Sequence, residues 1–185
     1  IYTLQPQASL TVIDQSTGEV KAIVGGRGDK TASKTLNRAT DTTRQPGSTF
    51  KILAAYSAAL DAGGLTLASV QDDAPYTYAG ANGKSVNNYD RRYRGFTTLR
   101  EAITDSINIV TVKTLAQAGV SLGWQYVQEY GFTTVDSRDM NEALALGGIT
   151  QGVSNLELTA AYAAIANQGT YIKPKFYTKI LDHDG

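Results

Sequence analysis

Two stretches of the chain are apolar on nearly every side. The first holds Phe50, Ile52, Leu53, Ala54, Ala55, Tyr56, Ala58, Ala59 and Leu60, after Pro46-Gly47 and before Gly63-Gly64. It predicts a buried helix over 48–62. The second follows Ser154-Asn155-Leu156-Glu157, a capping box, and runs apolar through Ala166 to Asn167-Gln168-Gly169. It predicts another buried helix and a helical subdomain with its own core. Between them, Thr98-Leu99-Arg100-Glu101 is a second capping box, opening a helix to about 105. Ser106-Ile107-Asn108 then interrupts the pattern, because serine and asparagine side chains compete for backbone hydrogen bonds. The pattern resumes over 109–116 and closes at Gly119. Residues 121–130 read as a short helix closed by Gly131, with Trp124 in the core.

Other stretches alternate or lack a period. Ser9-Leu10-Thr11-Val12-Ile13 and residues 19–24 flank the turn Gln15-Ser16-Thr17-Gly18 and predict an antiparallel hairpin. Residues 30–43 are polar and read as a loop. Residues 71–95 are also polar, with Tyr76, Tyr78, Tyr89 and Tyr93 among Gly, Asn and Asp. Those tyrosines either line a peptide-binding cleft or pack the loop onto the core. Gly147-Gly148-Ile149-Thr150-Gln151-Gly152 reads as a loop. Residues 171–173 and 175–181 look extended around Pro174. The fold class expected is α+β: lead-in and hairpin over 1–47, a helical region over 48–169, and the start of a return to the sheet over 170–185. That sheet is expected to be incomplete.

The chain has 185 residues, 42% of them hydrophobic and 18% charged, enough for one domain with a substantial core. Lys and Arg number 17 and Asp and Glu 17, and no basic cluster is longer than Asp90-Arg91-Arg92-Tyr93-Arg94, so nucleic acid is not an expected partner. There is no cysteine, which removes disulfides and thiolate chemistry. The single histidine, His183, sits in Asp182-His183-Asp184-Gly185, read as an exposed turn, so a histidine triad or zinc site is not expected. No stretch approaches the roughly 20 apolar residues of a membrane-spanning helix. Gly25-Gly26-Arg27-Gly28-Asp29 reads as a strand exit rather than a phosphate loop, since no Gly-Lys-Ser/Thr follows and no helix opens there.

Ser48 and Lys51 change the picture. Three apart at a helix start, they share one face, with Cβ atoms roughly 5–6 Å apart. A capping box would place Glu or Gln at residue 51. A cation stands there instead, at the positive end of the helix dipole and in a helix that reads as buried, where an ammonium is costly. A serine hydroxyl becomes a nucleophile when a base takes its proton, and a desolvated lysine can be that base. Backbone N–H groups at the helix start can hold an oxyanion.

Arg44-Gln45-Pro46-Gly47-Ser48-Thr49-Phe50-Lys51 and Ser106-Ile107-Asn108 together resemble the nucleophile and Ser-x-Asn motifs of the transpeptidase domain of bifunctional, high-molecular-mass penicillin-binding proteins. The resemblance extends to Gly25-Gly26, Asn37-Arg38-Ala39-Thr40, Asn88-Tyr89, Tyr93 and Gly95, Ala161-Tyr162-Ala163, and Ala166-Asn167 with Gly169, and covers the chain from about Ser9 onward. It implies a penicillin-binding-protein or serine β-lactamase-like fold and a peptidoglycan D,D-transpeptidase. Ser48 would be the nucleophile, Lys51 the general base and Ser106 the proton relay to the leaving amine. Asn108 would hydrogen-bond the substrate amide and the lysine, and the Ser48 N–H would form half of the oxyanion hole. The partners implied are the peptidoglycan stem peptide and β-lactams bound covalently at Ser48; no cofactor or metal is implied. The family's Lys-Ser/Thr-Gly motif is absent, so the chain is expected to be a truncated domain of weak or no turnover. The parent is expected to be membrane-anchored at the extracytoplasmic face, with an upstream glycosyltransferase domain. The alternatives are a serine β-lactamase and a non-catalytic penicillin-sensing or cell-wall-binding module.

Overall fold

A computed structural model describes residues 5–30, 32–79 and 83–184. The chain divides into two compact units. One is drawn from Ile1–Arg44, Tyr130–Phe132 and Val153–Gly185, the other from Gln45–Glu129 and Thr133–Gly152.

In the first unit the expected hairpin forms. Strands β1 (Leu10–Ile13) and β2 (Val20–Val24) pair antiparallel with Leu10 opposite Val24 and Val12 opposite Ala22. The turn closes because the Asp14 carboxylate accepts from the Ser16 N–H and hydroxyl, and Gly18 N–H donates to the Asp14 carbonyl. A helix packs on β1, Asn155–Ala166 (α5 in chain order), and Thr11 Oγ1 donates to Asn155 Oδ1 at 2.7 Å. Its capping box at Ser154 and Glu157 is present with both reciprocal bonds. The helix buries Ala160, Ala161 and Ala164 but leaves Tyr162 and Ile165 more than a third exposed, so it is less enclosed than its composition predicts. Over 175–181 the expected extended segment makes one parallel bridge, Lys175 beside Glu19, and then runs exposed without regular pairing.

The second unit is built on the helical segment that begins at Gly47. It starts as a 3-10 turn (Gly47–Thr49), widens to a π turn (Ile52–Tyr56) and ends as an α turn, α1 (Ser57–Asp61). Ser57 Oγ donates to the Ile52 carbonyl five residues back, consistent with the widened turn. Phe50, Leu53, Ala54, Ala55, Ala58 and Ala59 are fully enclosed. Helices α2 (Leu99–Thr104), α3 (Asn108–Ala118) and α4 (Val120–Glu129) complete the helical part. Tyr56 packs with Leu99, Ala102, Ile107 and Val110, and its hydroxyl pairs with Thr111 Oγ1 at 2.8 Å. At Gly123 a Cβ would collide with the Ala54 carbonyl, so glycine there is what lets α4 lie against this segment.

The stretch read as a polar loop is partly strand. Strands β3 (Val70–Asp73) and β6 (Gly95–Thr98) pair antiparallel, as do β4 (Tyr76–Thr77) and β5 (Ser85–Val86). The region over 48–169 therefore mixes helices with two small sheets. The tyrosines divide: Tyr76 and Tyr78 are half-buried, Tyr89 is wholly exposed and Tyr93 about half exposed.

Candidate active site

All four sequence-predicted residues fall in the second unit. Ser48 lies in the opening 3-10 turn and is exposed. Its turn has no side-chain cap at Pro46. Lys51 follows on the same helical face and is buried, 3% exposed. Its ammonium group meets three oxygens: Nζ donates to the Ser106 carbonyl at 2.6 Å, Ser106 Oγ at 2.9 Å and Asn108 Oδ1 at 2.6 Å. The structure thus joins Lys51, Ser106 and Asn108 directly, with Ser48 one turn away on the open side.

Burial lowers the Lys51 pKa from 10.5 to about 8. The three partners fit both protonation states. An ammonium has three N–H groups for three acceptors. A neutral amine has two, plus a lone pair, and among these partners only the Ser106 hydroxyl can turn from acceptor to donor. Rotation of one hydroxyl therefore accommodates the loss of the proton.

The break between α2 and α3 presents these partners. Ser106 takes φ +54°, a left-handed conformation that a serine rarely adopts. Ile107 is 2% exposed and anchors the turn in the core beside Tyr56. The Asn108 amide is oriented from outside: its Nδ2 donates to the Asn87 carbonyl at 2.7 Å, which leaves Oδ1 for Lys51.

A second loop walls the helix start. Gln45 donates to the Ile149 carbonyl and accepts from the Ile149 N–H at 3.0 Å. Gly147, at φ +73°, comes so close to Gly47 that a Cβ would sit 2.6 Å from the Gly47 N and O. The buried Asp139 accepts from the Thr150 N–H at 2.8 Å and hydroxyl at 2.7 Å, pinning the far side of that loop. Gln45 and Asn88 stood in the motifs without a role, and Asn87, Asp139 and Asp73 carried no signal. A buried carboxylate cannot be told from an exposed one by residue type. Among the described residues no group of three or more side chains could hold a metal ion, and no helix is long and apolar enough to cross a membrane.

The fold is α+β, with a Ser-x-x-Lys helix start and a Ser-x-Asn turn bonded to its lysine. Residues 8–184 match the penicillin binding protein transpeptidase domain, and the chain belongs to that family. It is 37% identical to penicillin-binding protein 1A of Clostridium tetani over 98% of its length, and 42% identical to penicillin-binding protein 1F of Bacillus subtilis over 97%. It spans about a quarter of each, 24%. The crystal structure of penicillin-binding protein 1A from Haemophilus influenzae superposes with a TM-score of 0.83 at 32% identity, covering 97% of this chain and 26% of that one.

Proposed function

We propose that this chain carries the acyl-transfer site of a peptidoglycan D,D-transpeptidase that penicillins acylate. The observation that carries the reading is the buried Lys51 amine, held by Ser106 and Asn108 one turn from an exposed serine. In the proposed reaction Ser48 Oγ attacks the carbonyl carbon of the penultimate D-alanine of a stem peptide. Its proton passes to Lys51 Nζ. Collapse of the intermediate breaks the peptide bond, and the leaving D-alanine amine takes a proton from Ser106 Oγ, which Lys51 restores. An amine of a second stem peptide then attacks the ester, returns the proton to Ser48 and forms the cross-link. The Ser48 N–H contributes to the oxyanion site. The parent's anchoring at the extracytoplasmic face and its upstream glycosyltransferase domain belong to the same proposal, as does covalent β-lactam binding at Ser48.

The test is labelling of the native full-length protein with a fluorescent penicillin. Rapid labelling with slow release, abolished in Ser48→Ala, is the expected result. Rapid labelling with rapid release points to a β-lactamase. No labelling leaves a non-catalytic wall-binding module, and label surviving in Ser48→Ala places the nucleophile elsewhere.

A further inference from the structure

Helix α3 begins at Asn108 without a cap of its own: its N-cap residue is Ile107, which has no side-chain acceptor. The first N–H groups of a helix need partners, and here they find one twenty residues upstream. Asn88 Oδ1 accepts from the Asn108 N–H at 3.0 Å and from the Ile109 N–H at 3.2 Å. Asn88 is itself buried, 4% exposed, and its Nδ2 is fixed from the other side. It donates to Asp73 Oδ1 at 2.8 Å, Asp73 Oδ2 at 2.9 Å and the Arg92 carbonyl at 2.8 Å. Asp73 is 0% exposed, and its Oδ2 also accepts from the Arg94 N–H at 2.9 Å. A carboxylate only accepts, so Asp73 decides which end of the Asn88 amide faces α3.

Resting on the reading of this site as an acyl-transfer centre, we infer that Asn88, oriented by Asp73, is a positioning residue for that reaction: it fixes the start of α3 and so the placement of Ser106 and Asn108 on Lys51. The neighbouring residue works in the same direction, since the Asn87 carbonyl holds the Asn108 side-chain amide. Ser106 is kept in its left-handed conformation between two fixed points, the buried Ile107 and the Lys51 amine. A strained residue persists only where its surroundings over-determine it, and the Asn88 cap is one of those constraints. The charged groups around the pair are Arg94, whose guanidinium lies 3.8 Å from Asp73, 3.1 Å from Asp90 and 4.0 Å from Asp105, and Lys51 beyond Asn108. Lys113 donates to the carbonyl of the adjacent Asp72.

Two variants of the native full-length protein test this, each read as its penicillin acylation rate relative to the parent at the same pH. Asn88→Ala removes the acceptor and should acylate at least about tenfold more slowly at every pH. Asn88→Asp keeps an oxygen for the two N–H groups but faces Asp73 with a second carboxylate. A proton shared between the carboxylates replaces the lost N–H, so this variant should approach the parent at acid pH and fall away as the proton leaves. A carboxylate pair also loosens the fold as it ionises, so thermal unfolding of Asn88→Asp is followed over the same pH range: the acylation ratio should fall at pH values where the variant is still fully folded, and a ratio that falls only as the folded fraction falls overturns the inference. Asn88→Ala acylating within about twofold of the parent, or a flat ratio for Asn88→Asp, overturns the inference; if Asn88→Ala does not fold, the Asn88→Asp ratio decides. Labelling of the parent and its loss in Ser48→Ala stay unaffected either way, so failure here is distinguishable from failure of the underlying reading.

Discussion

Lys51 is asked to do two things that oppose each other. It must sit in the interior, where charge is disfavoured, and still lose and regain a proton. The Ser106 hydroxyl makes this possible, because it alone among the lysine's partners can donate as well as accept. The proposed acylation should therefore accelerate as pH rises through about 8, where the amine becomes neutral. Lys51→Ala should cost about 10²–10⁴-fold in acylation, and a loss below tenfold would contradict its role as base. The same lowered pKa has a stability signature. Between about 8 and 10.5 the unfolded chain holds a proton on this lysine that the folded chain has released, so stability rises with pH across that window. Tyr56 and Tyr76, raised to about 12 chiefly by burial, act in the opposite sense above 10. Comparing thermal unfolding of the parent with Lys51→Met isolates the lysine: the rise should be missing from the variant, and parallel curves would refute it.

At the scale of elements, the close approach of Gly147 to Gly47 couples the wall loop to the turn that carries Ser48. Gly147→Ala places a Cβ against the Gly47 backbone at a positive φ, so it should destabilise the protein by about 1–3 kcal/mol and slow acylation as the turn shifts. Gly64→Ala is the control, since Gly64 has φ +72° with nothing within 4 Å of its added Cβ. It should lose stability alone, as read by denaturant unfolding beside the labelling rate. The helices were legible because capping boxes and apolar runs are local signals: Thr98 with Glu101 and Ser154 with Glu157 form the predicted boxes. The break at Ser106 was legible for the same reason. The pairing of β3 with β6 was not, because Val70-Gln71-Asp72-Asp73 is a poor strand former, and its place is set by the partner strand and by Asn88. The π turn was hidden too, since hydrogen-bond register within a helix leaves little trace in composition.

Across the whole molecule the charges balance, with an isoelectric point near 6.8, so no long-range repulsion keeps copies apart at neutral pH. The hairpin adds an apolar face: Leu10, Val12 and Val24 are 51, 45 and 49% exposed, and their pairing register puts them on one side. Val12→Lys should raise the solubility limit of the isolated chain at neutral pH, measured by precipitation against concentration; an unchanged limit would discount this face. Sequence foresaw the hairpin and the charge balance. It also foresaw an incomplete sheet, and 175–181 makes one bridge, Lys175 beside Glu19, before running on without regular pairing.

The contrast between Ser48 and Lys51 reaches beyond the reaction itself. The hydroxyl stands open to solvent, while the amine three residues on is enclosed with each N–H engaged. Reagents that coat surface amines with dyes or tethers reach the outer lysines and spare this one. A chain anchored to a bead through its lysines would still present its serine to whatever is washed over it.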